Sequence, residues 1–245
     1  MSAPQQLSRP LSARVASLPD PPDPMARQGA AETSKTVIQA AFEALDAGRT
    51  HYTDRPGILP LREKAVAEIG RRCGLELSAD EATITCGATE ARFVAIKKLV
   101  KPGQKILCAG SGAAVQGPAA LIGAALTDDP NAEGIALIYL NSADPADRVE
   151  ACAGAAISRE SIWLIWDMSP DAGSAFHPAH LHPSLAERTI TIGAVGDAHR
   201  GWRVGWLAGS KAANALRAYK QSITICTPSI SQWAAMGIAD PASEE

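Results

Sequence analysis

The stretch "IALIYLN", Ile135–Asn141, holds no polar residue before its final asparagine apart from the hydroxyl of Tyr139. A strand with one face in water alternates apolar and polar side chains. One that does not alternate is covered on both faces, as in a parallel sheet between layers of helices. "SIWLIWD", residues 161–167, repeats the pattern and again ends on a polar residue, Asp167. Working outward, "EATITCG" and "KILCAG" upstream and "RTITIGAV" and "WRVGWLAG" downstream read as further strands. Helical patterns lie before and between them. "SKTVIQAAFEALDAG" places Val37, Ala41, Ala44 and Leu45 at helical spacing, with Ser34 as N-cap and Gly48 as C-cap. "PLREKAVAEIGRRC" opens on a proline suited to a first helical turn. "EARFVAIKKLV" stops at the turn "KPG", "AAVQGPAALIGA" reads as a helix despite its Gly-Pro, and "KAANALRAYKQS" as a helix capped by Ser210. This order predicts an α/β fold, a mainly parallel sheet flanked by helices with right-handed crossovers. Its ligands belong beyond the carboxyl ends of the strands.

Composition narrows the function. A chain of 245 residues, 46% apolar and 20% charged, can bury a substantial core as one large domain, or one domain plus a fragment. The opening "SLPDPPDPMARQG" is too rich in proline for regular structure, which predicts an irregular arm over 1–33, a domain over 34–240 and a tail over 241–245. A net charge of -3 offers no basic face to nucleic acid or to anionic membrane. The apolar runs fall short of the ~20 residues that span a bilayer. The first residues lack the basic segment and apolar run of a secretory signal, so the expected compartment is the cytoplasm. Five cysteines without CxxC spacing suggest neither a disulfide framework nor a zinc site, and they are expected as small buried residues. His177, His180 and His182, in "FHPAHLHP", are broken up by proline and read as a loop rather than a metal site.

At the carboxyl ends of the strands stand "CGATEA", "LNSADP", "WDMSP" and "GDAHRGWRVG". In this order and spacing the chain resembles the class I/II, fold-type I aminotransferases that use pyridoxal phosphate. The likeness runs from "GRTHYTDRPGILPLREKAVAEIG" to "GWRVGWLAGSKAANALRAYKQSITICTPSISQWAA". It implies the large domain of those enzymes, without their C-terminal small domain and its substrate-binding arginine. It also implies roles for particular residues. Gly87, Ala88 and Thr89 match a phosphate-binding turn, and a helix opening directly after a strand has free N–H groups and a positive dipole end for an anion. Arg203 matches the phosphate-binding arginine. Asp167 matches the carboxylate that keeps the pyridine nitrogen protonated. Tyr52 matches a tyrosine that reaches the phosphate of a neighbouring subunit, implying a homodimer.

The same likeness exposes a gap. The family's central segment carries a lysine that bonds the cofactor covalently and shuttles the substrate's proton. Aligned backwards from Gly201, Val195 holds that position; aligned forwards with two residues deleted, Asp197 does. Neither supplies an amine. Lys211 belongs to the later helix, and His199 is the nearest residue able to carry a proton. Asp144 stands where the family has an asparagine facing the cofactor's phenolic oxygen, Pro170 where it has a tyrosine, and "GSGAAV" lacks the ring-stacking aromatic. The resemblance therefore implies an aminotransferase-like protein with a degenerate site. Two other readings stand beside it: an atypical but active enzyme acting on an amino acid and a keto acid, or a non-catalytic binding or regulatory protein.

Overall fold

In the computed structural model, residues 33–170, 176–209 and 211–238 are described. The expected arm over 1–33 lies outside them apart from Thr33, as do the expected tail over 241–245 and the Ser210 cap.

The chain enters the fold at α1, Lys35–Asp46, where the Ser34 side chain accepts from the Val37 amide as expected. The helix ends one residue earlier than the sequence suggests, at Ala47, and Gly48 follows with φ of 68°. Helix α2, Leu59–Cys73, has its proline in the first turn and stops at left-handed Gly74. Strand β1, Ala82–Thr85, leads into α3, Gly87–Leu99, and then β2, Lys105–Cys108. Helix α4, Ala113–Ile122, keeps Pro118 inside it. Next come β3, Ala125–Thr127, β4, Ile135–Asn141, α5, Ala146–Ile157, and β5, Trp163–Asp167. A short helix α6, Pro183–Ala186, precedes β6, Thr189–Ala194. A 3-10 turn, Asp197–Trp202, joins it to β7, Gly205–Ala208. Helices α7, Ala213–Thr224, and α8, Ser229–Ala235, complete the described chain. The residue before α7 is Ala212, which makes no side-chain cap.

The strands form one sheet in the order β1-β7-β6-β5-β4-β2-β3. The β6-β5-β4-β2-β3 pairs are parallel, and β7 runs antiparallel to both its neighbours. Successive residues of β4 go to opposite sides. Ile138 and Leu140 join a cluster with α2 and α5 residues Ile69, Val149 and Cys152. Leu137 and Tyr139 join another with α3, α4 and α7 residues Val94, Val115 and Leu216. Both faces are therefore covered by helices, which is why β4 shows no alternation. This three-layer arrangement places the ends of β4, β5 and β6 beside the start of α3.

The three histidines of "FHPAHLHP" organise a proline-rich connection. His177 accepts from the Ala179 amide and His182 from the Ser184 amide, each starting a short helical turn. His180 bonds the Cys73 carbonyl at 2.6 Å, tying this connection to the end of α2. His177 is 1% exposed, and burial pushes its pKa down to about 3, with His180 adding to the shift. All five cysteines are free; Cys73, Cys108 and Cys152 are buried, while Cys86 and Cys226 are half-buried.

Candidate functional site

Two constellations involve α3, one at its amino end and one at Arg92 further along it. The first is built around the strand-to-helix turn. Gly87 opens the helix at φ +74°, a conformation that suits glycine. The guanidinium of Arg203 lies over it: a Cβ at position 87 would stand 2.9 Å from Arg203 Nη2. Arg203 itself takes a left-handed conformation, φ 55°, and its Nη2 donates to the Cys86 carbonyl at 3.1 Å. On the other side Gly205 lets β7 close in, since a Cβ there would be 2.6 Å from Gly87 C and 2.8 Å from Ala88 N. The structure thus sets Arg203 against the turn at Gly87, with Ala88 buried and Thr89 exposed beside it. One amide is already used: Glu90 accepts from Cys86 N at 2.6 Å and also takes the Thr224 hydroxyl.

The second constellation surrounds Asp167 at the end of β5. This carboxylate is wholly buried. Its Oδ2 accepts from Arg92 Nε at 2.5 Å and from the Tyr139 hydroxyl at 2.8 Å, while Oδ1 accepts from the Ser169 amide at 2.9 Å. Arg92 Nη2 also donates to Ser169 Oγ at 2.6 Å. Burial raises the pKa of Tyr139, and neighbouring Asp167 raises it further. Burial alone would lower that of Arg92, but the attraction of Asp167 prevails and the pKa is raised. Neither Arg92 nor Tyr139 is a residue that sequence reasoning selected.

The remaining expected site residues are dispersed. Asp144 turns back on its own loop, accepting from Asn141 N at 2.9 Å and Asn141 Nδ2 at 2.7 Å. It also lies against Gly110, where an added Cβ would fall 2.3 Å from Oδ1. Burial raises its pKa despite these bonds. Tyr52 is 82% exposed. Its loop is pinned by buried Gln232, which bonds Thr53 Oγ1, Ile58 N and Thr227 O. Val195 extends the β6-β7 ladder through its amide to Val204 O, and its side chain packs on the core. Asp197 opens the 3-10 turn. His199 follows in that turn, its Nδ1 buried and without a hydrogen bond among the described residues.

No lysine lies between Lys105 and Lys211 in the sequence. Lys211 pairs with Glu187 at the surface, 2.8 Å apart. Lys220 is wholly buried, with Nζ 3.5 Å from Thr227 Oγ1.

For pyridoxal phosphate, the cofactor that the resemblance implies, these residues fit one end and not the other. At one end a strand-to-helix turn with a guanidinium over it has the chemistry that suits a phosphate. At the ring end Asp167 already has a cation and two further donors, so its charge is compensated within the chain.

The chain is similar to the arginine–pyruvate transaminase AruH of Pseudomonas aeruginosa, 28% identical over 233 residues, covering 80% of this chain and 56% of that protein. It is also similar to an aspartate aminotransferase of Rhizobium meliloti, 27% identical over 266 residues, covering 92% of this chain and 64% of that one. The chain therefore spans between half and two thirds of these relatives' length. Among solved structures, it superimposes on an aspartate aminotransferase of Thermus thermophilus with a TM-score of 0.73 at 23% identity, covering 84% of this chain and 64% of that one. The aspartate aminotransferase from Rhizobium meliloti gives 0.74 at 23% identity, with coverages of 85% and 61%. No protein-family model matches. Sequence likeness to named transaminases and the shared fold agree, and the chain is related to the class I/II, fold-type I aminotransferases that depend on pyridoxal phosphate.

Proposed function

We propose that this chain is a catalytically degenerate aminotransferase-like protein that holds a phosphate-bearing ligand, pyridoxal phosphate among them, without bonding to it covalently. One observation carries the reading: both residues that align with the family's lysine lack an amine, and Val195, one of the two, is packed on the core. The phosphate turn at Gly87 and Arg203 supports retained binding, because a planar guanidinium and a helix start both favour a dianion. General acid-base help from a positioned group is worth roughly 10²- to 10⁴-fold, and its loss alone makes turnover slow.

Exposed Tyr52 on its pinned loop supports a homodimer with the phosphate sites near the subunit boundary. The free cysteines are in keeping with a reducing compartment such as the cytoplasm. No described helix is long and apolar enough to cross a membrane. A second reading, an atypical active aminotransferase of amino and keto acids, is favoured by the unsatisfied Nδ1 of His199, which could carry the proton.

Mixing the purified protein with pyridoxal phosphate tests the proposal. No new visible absorption band and no cofactor fixed by borohydride are expected. A stoichiometric reduced adduct on any lysine, Lys220 included, overturns it. For the cradle, Arg203→Ala should weaken inorganic phosphate binding by about tenfold, the scale of a lost charge-assisted contact. An unchanged affinity rejects that part.

A further inference from the structure

Arg92 departs from the pattern of its own helix. Its neighbours Ala91, Val94 and Ala95 are buried apolar residues facing the sheet, and a charge is costly in such a stripe unless paired. It is paired, with a fully buried aspartate 75 positions away, through a short ion pair and with Ser169 as a second acceptor. The arginine side chain is 13% exposed, so the pair sits just beneath the surface rather than deep in the core. It also belongs to the helix that begins at the phosphate turn: Gly87 and Arg92 are separated by about 7.5 Å of helical rise, at roughly 1.5 Å per residue. The Arg92 guanidinium is turned to the end of β5, where it holds Asp167 and Ser169, so the carboxylate there is not free.

The electrostatics follow. A carboxylate offers about four acceptor positions, and Asp167 has committed three of them to Arg92, Tyr139 and Ser169. Its negative charge is already matched by a cation that the chain supplies. For a cationic ring to pair with Asp167, Arg92 must leave and become a desolvated charge without a partner, or both cations must crowd one carboxylate. Either change costs more than a second ion pair returns.

We propose that Arg92 serves as an internal replacement for a cationic ring at Asp167, so that the site selects phosphate monoesters by their phosphate and gives no advantage to a positively charged body. This inference rests on the phosphate-binding reading above and narrows it to a ligand class.

Calorimetric titration of the full chain with inorganic phosphate, benzyl phosphate and pyridoxine 5′-phosphate tests it. Pyridoxine phosphate has the protonatable ring nitrogen but no aldehyde, so no lysine can capture it. The wild-type protein should bind the two esters within about threefold of each other. Arg92→Leu, or Arg92→Gln if the leucine variant does not fold, should raise the preference for pyridoxine phosphate to about tenfold or more, with inorganic phosphate unchanged. The wild-type comparison needs no variant. A tenfold preference for pyridoxine phosphate in wild type that disappears in Asp167→Asn overturns the inference and leaves the phosphate reading standing. A folded Arg92 variant with no gain also overturns it. Failure of wild type to bind inorganic phosphate or either ester removes the phosphate reading, and this inference falls with it.

Discussion

The Tyr139 hydroxyl, on β4 beside the strand that ends in Asp167, donates to Asp167 at 2.8 Å, in parallel with the bond from Arg92. A buried carboxylate holding one cation still needs its other acceptor positions filled. Tyr139→Phe removes one donor and leaves the ring volume in place. We expect a loss of about 1–3 kcal/mol in unfolding free energy, the cost of a buried acceptor losing its partner. Chemical denaturation checks it, and an effect below a few tenths of a kcal/mol contradicts the role given to this bond.

His177 gives the protein a pH dependence of defined sign. Its folded pKa is pushed down to about 3, below the ordinary histidine value of 6.5. Its neutral form is bonded to Thr191 Oγ1 and the Ala179 amide in the native state. Below pH 6.5 the unfolded chain takes up a proton that the native chain refuses, so this contribution to stability is full above pH 6.5 and is lost as pH falls toward 3. The slope approaches roughly 1.4 kcal/mol per pH unit for one proton. Denaturation of wild type and His177→Asn at pH 7 and pH 5 should show the variant losing less. Equal losses refute the assignment.

Arg188 is 7% exposed and has no carboxylate partner among the described residues. It donates instead to the carbonyls of Ala156, Arg159, Ile162 and Ser184, gathering the end of α5 and the start of β6. A cation at a helix C-terminus is favourable, and the planar fork reaches several acceptors at once. Arg188→Met should destabilise by about 2–4 kcal/mol, and Arg188→Lys should recover less than half of that. Thermal unfolding of the two variants decides the matter; full recovery by lysine excludes the fork geometry as the cause.

Gly57 admits the loop that carries Tyr52 to the edge of the sheet. Its φ is +100°, and an added Cβ would come within 2.3 Å of Ile84 Cγ1. Gly57→Ala should cost about 2 kcal/mol or more through strain and overpacking. If Tyr52 lies at a subunit boundary, the same change should also shift the sedimentation profile toward monomer. An unshifted profile in a destabilised variant separates the packing role from the assembly role.

Much of the sheet could be read from the sequence, because strands covered on both faces become uninterrupted apolar runs. The weak spots have physical causes. Strand β3 is three residues at an edge, mostly exposed, so burial leaves almost no imprint on it. Helix α5 leaves little imprint on the sequence although Val149, Cys152, Ala153 and Ala156 keep helical spacing, because three of these side chains are small and give little contrast. At the site, the glycine turn and Arg203 stand far apart in sequence and were picked out only through the resemblance. The Arg92–Asp167 pair was not legible, since a partner 75 positions distant is brought near only by the fold. Its one local signal was a charge in an apolar helical stripe.

The antiparallel strand β7 has a consequence for how the molecule is made. Its two neighbours are β6, just before it, and β1, whose residues Ala82–Thr85 find no other strand partner among the described residues. On the ribosome the first strand must therefore wait for a segment far downstream, on the order of ten seconds at ordinary elongation rates. Until then its hydrogen-bonding edge is open to the wrong companion. Translation speed and chaperone supply should accordingly govern the yield of folded chain more than its final stability does.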